Sequence, residues 1–197
     1  MKFNKQDETL DLTKADVAAL ATYASSDKTR DVVASVLVEP SRGRIVATDG
    51  YRLIVATAKD GGHAGEAYLV PAAELVKAAK LVDAKSELVI SATRGENGDA
   101  VVRVTAGTST ASFAALDAKM FPPVDQILAM RAAERGVVAD RIGLNAKYLN
   151  DVLLAQKAAE TNGVALDAWT DGTEPIWFEA RGFAAAWVGC IMPMRLD

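Results

Sequence analysis

Arg44-Ile45-Val46-Ala47-Thr48-Asp49-Gly50-Tyr51-Arg52-Leu53-Ile54-Val55-Ala56-Thr57-Ala58 reads as two apolar, β-rich runs folded back on each other at an Asp-Gly turn. That dipeptide tolerates the positive φ angles of tight hairpins, so Arg44 to Thr48 and Tyr51 to Ala58 are predicted to be neighbouring antiparallel strands. Upstream, Asp31 to Glu39 is β-branched and apolar and predicts another strand. Further upstream, Thr13 followed three residues later by Asp16 resembles a capping box, with Val17, Leu20, Ala21 and Ala24 at helical spacing behind it, predicting a helix near 14 to 25. The unit is a helix followed by strands.

The same order recurs twice. After the glycine-rich Asp60-Gly61-Gly62-His63-Ala64-Gly65 segment comes a short strand, Tyr68 to Val70, with Pro71 placed to open a helix striped by Leu75, Ala79 and Val82. Runs at Glu87 to Ala92, Ala100 to Thr105 and Thr108 to Ala115 follow as strands. A third pass starts at Arg141-Ile142-Gly143-Leu144, where Asn145 can cap a helix carrying Tyr148, Leu149, Val152 and Leu153. Val164 to Thr170, Glu174 to Ala180 and Phe183 to Met192 complete it. The chain is therefore expected to be α+β, built from three β-α-β-β-β units that repeat in structure and not in sequence. Ala129 to Ala139, small and charged residues after Phe121-Pro122-Pro123, is the best connector.

With 22 Lys and Arg against 26 Asp and Glu, the net charge of −4 opposes a protein that coats nucleic acid with its whole surface, though a local basic face stays open. One cysteine, Cys190, excludes an internal disulfide framework, and no apolar run reaches the ~18 residues of a membrane span. The first residues lack the apolar stretch of a secretion signal, so a cytoplasmic protein is expected.

No catalytic constellation is legible. His63, the single histidine, sits among glycines and reads as a solvated loop residue. Cys190 lies in an apolar run and reads as a small buried hydrophobe. The carboxylates of Asp49-Gly50 and Asp171-Gly172 are placed to bond their own turn backbone. There is no phosphate-cradling glycine loop and no metal-ligand cluster. The expectation is a non-enzyme without cofactor or metal.

Three segments resemble the bacterial DNA polymerase III beta subunit, the sliding-clamp family. Ser26-Asp27-Lys28-Thr29-Arg30, Val33 to Glu39 and Val46 to Leu53 are similar to the opening half of that family's middle domain, with Tyr51 where histidine is common. Met120-Phe121-Pro122-Pro123 resembles the end of that domain. Gly143-Leu144-Asn145-Ala146-Lys147-Tyr148-Leu149 and the closing Met192-Pro193-Met194-Arg195-Leu196 resemble the second half of the last domain, the pentapeptide most specifically. The resemblance implies a DNA-clamp fold of about one and a half clamp domains. Residues 1–128 would be one domain of two units, 129–139 a linker and 140–197 a half domain.

It further implies a sliding clamp, or polymerase processivity factor, that closes into a ring around duplex DNA. The helices would line the hole and attract phosphates weakly, without reading bases. The DNA-facing candidates are Lys14, Lys28, Arg30, Lys77, Lys80, Lys147 and Lys157. A pocket for short peptide motifs of a polymerase or clamp loader would comprise Val33, Thr48, Gly50, Tyr51, Arg52, Leu53, Pro122, Ile127, Asn145, Tyr148, Cys190, Met192, Pro193 and Met194. Flexible thioethers suit such a surface. Cys190 and Gln126 stand where the family more often has an aliphatic and a basic residue, which puts peptide preference in question. A clamp ring uses about twelve units, so three per chain imply a homotetramer. The alternative is a clamp-derived peptide-binding module that modulates replication without encircling DNA.

Overall fold

The computed structural model describes residues 1–83, 86–94, 100–132, 142–167 and 174–194. Strands β1 (Lys2–Asn4) and β2 (Thr9–Leu12) precede helix α1 (Lys14–Tyr23). The helix starts where expected: the Thr13 hydroxyl accepts from the Asp16 amide at 3.2 Å, and the Thr13 amide donates to the Asp16 carboxylate at 2.8 Å. Strands β3 (Ser35–Glu39), β4 (Arg44–Thr48) and β5 (Arg52–Ala58) complete the first unit. β3 begins later than the apolar run suggests, because the Ala34 amide donates to the Arg30 carbonyl and the Ser35 hydroxyl to the Asp31 carbonyl, which closes a turn over 30–35.

The second unit comprises β6 (Tyr68–Pro71), α2 (Ala72–Ala79), β7 (Leu88–Arg94), β8 (Ala100–Ala106) and β9 (Ser109–Ala114). Helix α3 (Val124–Ala132) follows, so the expected connector at 129–139 starts inside a helix, and its remainder lies outside the described residues. The third unit has α4 (Ala146–Ala158), β10 (Ala165–Asp167), β11 (Ile176–Arg181) and β12 (Ala185–Ile191). Among the described residues its leading strand is reduced to one bridge, Gly143 opposite Met194.

Both sheets are antiparallel, ordered β1-β2-β7-β8-β9 and β10-β11-β12-β5-β4-β3-β6. The first two units exchange their leading strands: β2 joins β7 of the second unit, and β6 joins β3 of the first. The third unit instead extends the larger sheet, with β12 against β5 from Ala185 opposite Ala58 to Ile191 opposite Arg52. This seam unites segments far apart in the chain. Gly189 is required there, since a Cβ would lie 2.3 Å from the Phe178 ring and 2.5 Å from the Leu53 carbonyl oxygen.

Period-2 alternation then sorts the strand residues onto two faces. Ile45, Ile54, Phe178 and Trp187 pack with Leu20 and Tyr23 of α1, Leu75 of α2 and Val152 of α4 in the main core. The opposite face of the larger sheet carries a second cluster, including Leu53, Val55, Trp177 and Cys190 beneath Phe121 and Val124. Each fully buried large apolar side chain contributes about 1.5–3 kcal/mol, so both faces of this sheet stabilise the fold. Helix α1 packs between α2 and α4. The three helices thus form one layer on one side of the sheets.

Candidate partner-binding and nucleic-acid-facing surfaces

The turn between β4 and β5 is fixed by its own side chains. Thr48 Oγ1 donates to the Arg52 carbonyl at 2.7 Å and accepts from the Gly50 amide at 3.1 Å. Asp49 Oδ1 accepts from the amides of Tyr51 (2.9 Å) and Arg52 (3.2 Å), and Gly50 takes φ +97°. This geometry turns Tyr51 into solvent, where it is 63% exposed. The Tyr51 carbonyl accepts from the Met192 amide at 3.0 Å, bringing the C-terminal methionines beside it, and Met194 bonds Gly143 at 2.8 Å.

Leu53, Cys190 and Trp177 lie opposite one another on β5, β12 and β11 and form an apolar row across the seam. Partly buried Ile127 joins this cluster, while Tyr51, Met192 and Met194 are exposed. Leu53 and Cys190 therefore form a buried floor, and the exposed residues stand at the adjoining edge. Val33 is buried, half-buried Pro122 lies two residues before α3, and half-buried Pro193 lies between the two methionines. Burial raises the Cys190 thiol from 9.0 to about 12, partly offset by a hydrogen bond with the Leu53 backbone. The thiol is neutral and takes part as an apolar surface.

Arg52 points through the opposite face. Its Nη1 meets the Asp151 carboxylate, Nε reaches Asp49 at 2.9 Å, and Nη2 donates to the Thr22 carbonyl at 2.5 Å. Its guanidinium carbon lies 4.4 Å from the Tyr148 ring centroid and 5.0 Å from that of Tyr23. Arg52 thus ties β5 to α1 and α4. Asn145 caps α4 by accepting from the Lys147 amide at 3.0 Å. The expected pocket residues consequently divide into two groups, one with Leu53 and Cys190 and one with Arg52 and Tyr148, on opposite faces of the seam.

Helix α3 lies as a strap across that seam on the Leu53 side. Asp125 in its first turn meets Arg42 (2.6 Å) and Arg44 (2.8 Å), which hold its carboxyl below the ordinary range. Arg131 in its last turn meets Glu179 (2.8 Å) and Asp167 (3.2 Å) on the third unit. Arg181 and then Arg131 likewise lower the Glu179 carboxyl. Of the strap, only Ile127 was expected at the site; the helix as such and Trp177 were not legible as site elements. A separate cleft of about 1090 Å³, lined by Glu39, His63, Tyr68 and Lys119 among others, contains none of the expected pocket residues.

Lys77, Lys80, Lys147 and Lys157 are exposed on α2 and α4 or their ends, and half-buried Lys14 opens α1. Exposed Lys28 and Arg30 follow α1; Arg30 donates to the Asp49 carbonyl at 3.2 Å, and Lys77 meets Glu74 at 2.6 Å. Ala18, Ala73 and Val76 are also exposed on these helices, leaving a mildly basic, largely neutral layer. Among the described residues, no group of three or more His, Cys, Asp or Glu could hold a metal ion, and no helix is long and apolar enough to cross a membrane.

No protein-family model and no curated protein matches the sequence. Solved structures do match. A putative DNA polymerase III beta subunit from Eubacterium rectale aligns with TM-score 0.72 at 12% identity, covering 100% of this chain and 68% of that one. The beta subunit of Thermotoga maritima gives 0.64 at 15% identity, covering 100% and 67%. The sliding clamp of Pseudomonas aeruginosa gives 0.63 at 19% identity, covering 95% and 67%. The two sheets, the common helix layer and the seam between units one and three are thus the fold of the DNA polymerase III beta subunit sliding clamps, over about two thirds of their length.

Proposed function

We propose that this chain is a non-catalytic sliding clamp, assembled as a homotetrameric ring around duplex DNA, whose seam binds short peptide motifs of a polymerase or clamp loader. The observation that carries this reading is the helix layer: α2, α1 and α4 lie on one side of the sheets and present scattered lysines among small apolar residues. A surface of that kind attracts phosphates too weakly to fix register, which is what sliding requires. Residues 1–128 act as one clamp domain and 140–197 as half of another. Arrayed in a row, the units leave two ends per chain, the edge of β9 and the third unit, and closure needs both covered.

Retention on DNA tests the reading. Protein loaded on a nicked circular plasmid should stay with it through gel filtration at moderate salt and be lost when the plasmid is linearised. Equal loss from both forms refutes encirclement and, if peptides still bind, favours the clamp-derived module that modulates replication without a ring.

A further inference from the structure

Among the described residues, the third unit lacks the cover that the first unit receives. Helix α1 packs over β4 and β5, and on its far side α2 packs over β3 and β6, both α2 and β6 coming from the second unit. Helix α4 packs over β11 and β12 with α1 on one flank and, among the described residues, no helix on the other. The side turned to α1 carries Asp151, held by Arg52. Leu149 and Leu153 each stand two residues from Asp151, about 160° round a helix advancing about 100° per residue, on the flank turned toward β10. They are 45% and 51% exposed. Leu166 on β10 lies opposite the core residue Phe178, hence on the same side of the sheet as α4, and is 54% exposed. Among the described residues, β10 pairs on one side only.

We propose that this face is covered by the same face of a second copy of the chain, the two α4 helices packing antiparallel across a two-fold axis. The chain itself supplies the model for this contact. Units one and two bury equivalent helices against each other while trading leading strands reciprocally, an approximate two-fold relation between repeated units. Unit three offers the same helix and sheet with no such neighbour among the described residues. An antiparallel pairing sets Leu149 of one copy against Leu153 of the other, so a single two-fold contact satisfies both copies at once. This deepens the ring reading, on which its role in closure rests. The β9 ends must then also meet each other, and the ring alternates two kinds of two-fold contact rather than repeating one head-to-tail contact.

The test is the solution mass, by light scattering at tens of micromolar, of the full chain and of Leu149→Glu with Leu153→Glu. Both positions are exposed, and an unchanged circular-dichroism spectrum reports a folded subunit. The expected result is a twofold drop in mass, from four chains to two, repeated by the single change Leu166→Asp. An unchanged mass overturns the proposal, as does a fourfold drop to single chains, which head-to-tail contacts would give. A wild-type monomer overturns it too. Plasmid retention separates the failures: a wild type retained on circles with an unchanged variant mass leaves the ring and removes this contact, whereas a halved mass without retention leaves the contact and removes the ring.

Discussion

Replacing Arg52 by methionine tests whether the third unit is held by a buried charge. Arg52 is 6% exposed, and its guanidinium serves Asp151 and Asp49, the Thr22 carbonyl and the faces of Tyr148 and Tyr23. Methionine keeps most of the volume and removes the charge. Asp151, itself 6% exposed, would then be a buried carboxylate without its cation. Removing one partner of a buried pair costs about 3–5 kcal/mol, while the two ring contacts are worth about 0.5–1 kcal/mol each and are not additive with it. Urea unfolding followed by tryptophan fluorescence should therefore show a loss of about 3–5 kcal/mol for Arg52→Met. Adding Asp151→Leu to that background should restore a substantial part, because two buried charges are then exchanged for apolar contacts. A loss below about 1 kcal/mol, or a double variant as unstable as the sum of the singles, would refute the reasoning.

Three further outcomes are expected. Cys190 should resist iodoacetamide at pH 8 in the folded protein and react once urea unfolds it; in the raised-pKa sense, its contribution to stability is intact below pH 9.0 and lost as pH climbs towards about 12. Gly189→Ala should cost about 1–3 kcal/mol, because its Cβ meets both the Phe178 ring and the Leu53 carbonyl, and thermal unfolding would show it. Met192→Ala with Met194→Ala should weaken binding of short peptides carrying leucine or phenylalanine anchors by about tenfold or more in fluorescence anisotropy, and unchanged affinity would remove the seam as the peptide site.

The repeated helix-and-strand order was legible because it is written locally, in the Thr13 capping box, the Asp49-Gly50 turn and the apolar, β-rich runs on either side of it. The exchange of β2 and β6 was not, since nothing in Thr9–Leu12 states that its partner is Leu88–Ile90. Helix α3 escaped notice because its apolar stripe is short, Val124, Ile127 and Leu128 alone, and its ends are fixed by Arg42, Arg44 and Glu179. The candidate site was legible in residue type, as in Leu53, Cys190 and Met192. Its division into two faces was not, because adjacent Arg52 and Leu53 point to opposite sides of one strand.

The strand exchange also governs how the molecule comes apart. Units one and two each hold a strand of the other, so neither can open without breaking the other's sheet, and they form one cooperative block closed by distant pairings. Among the described residues, unit three trades no strand and is held by the β5–β12 seam, Arg52 and the α3 strap. Under native conditions, amide protons of β10 and β11 should therefore exchange through a partial opening of lower free energy than those of β4 and β7. In the ring proposed above, the third unit is therefore the expected place of opening.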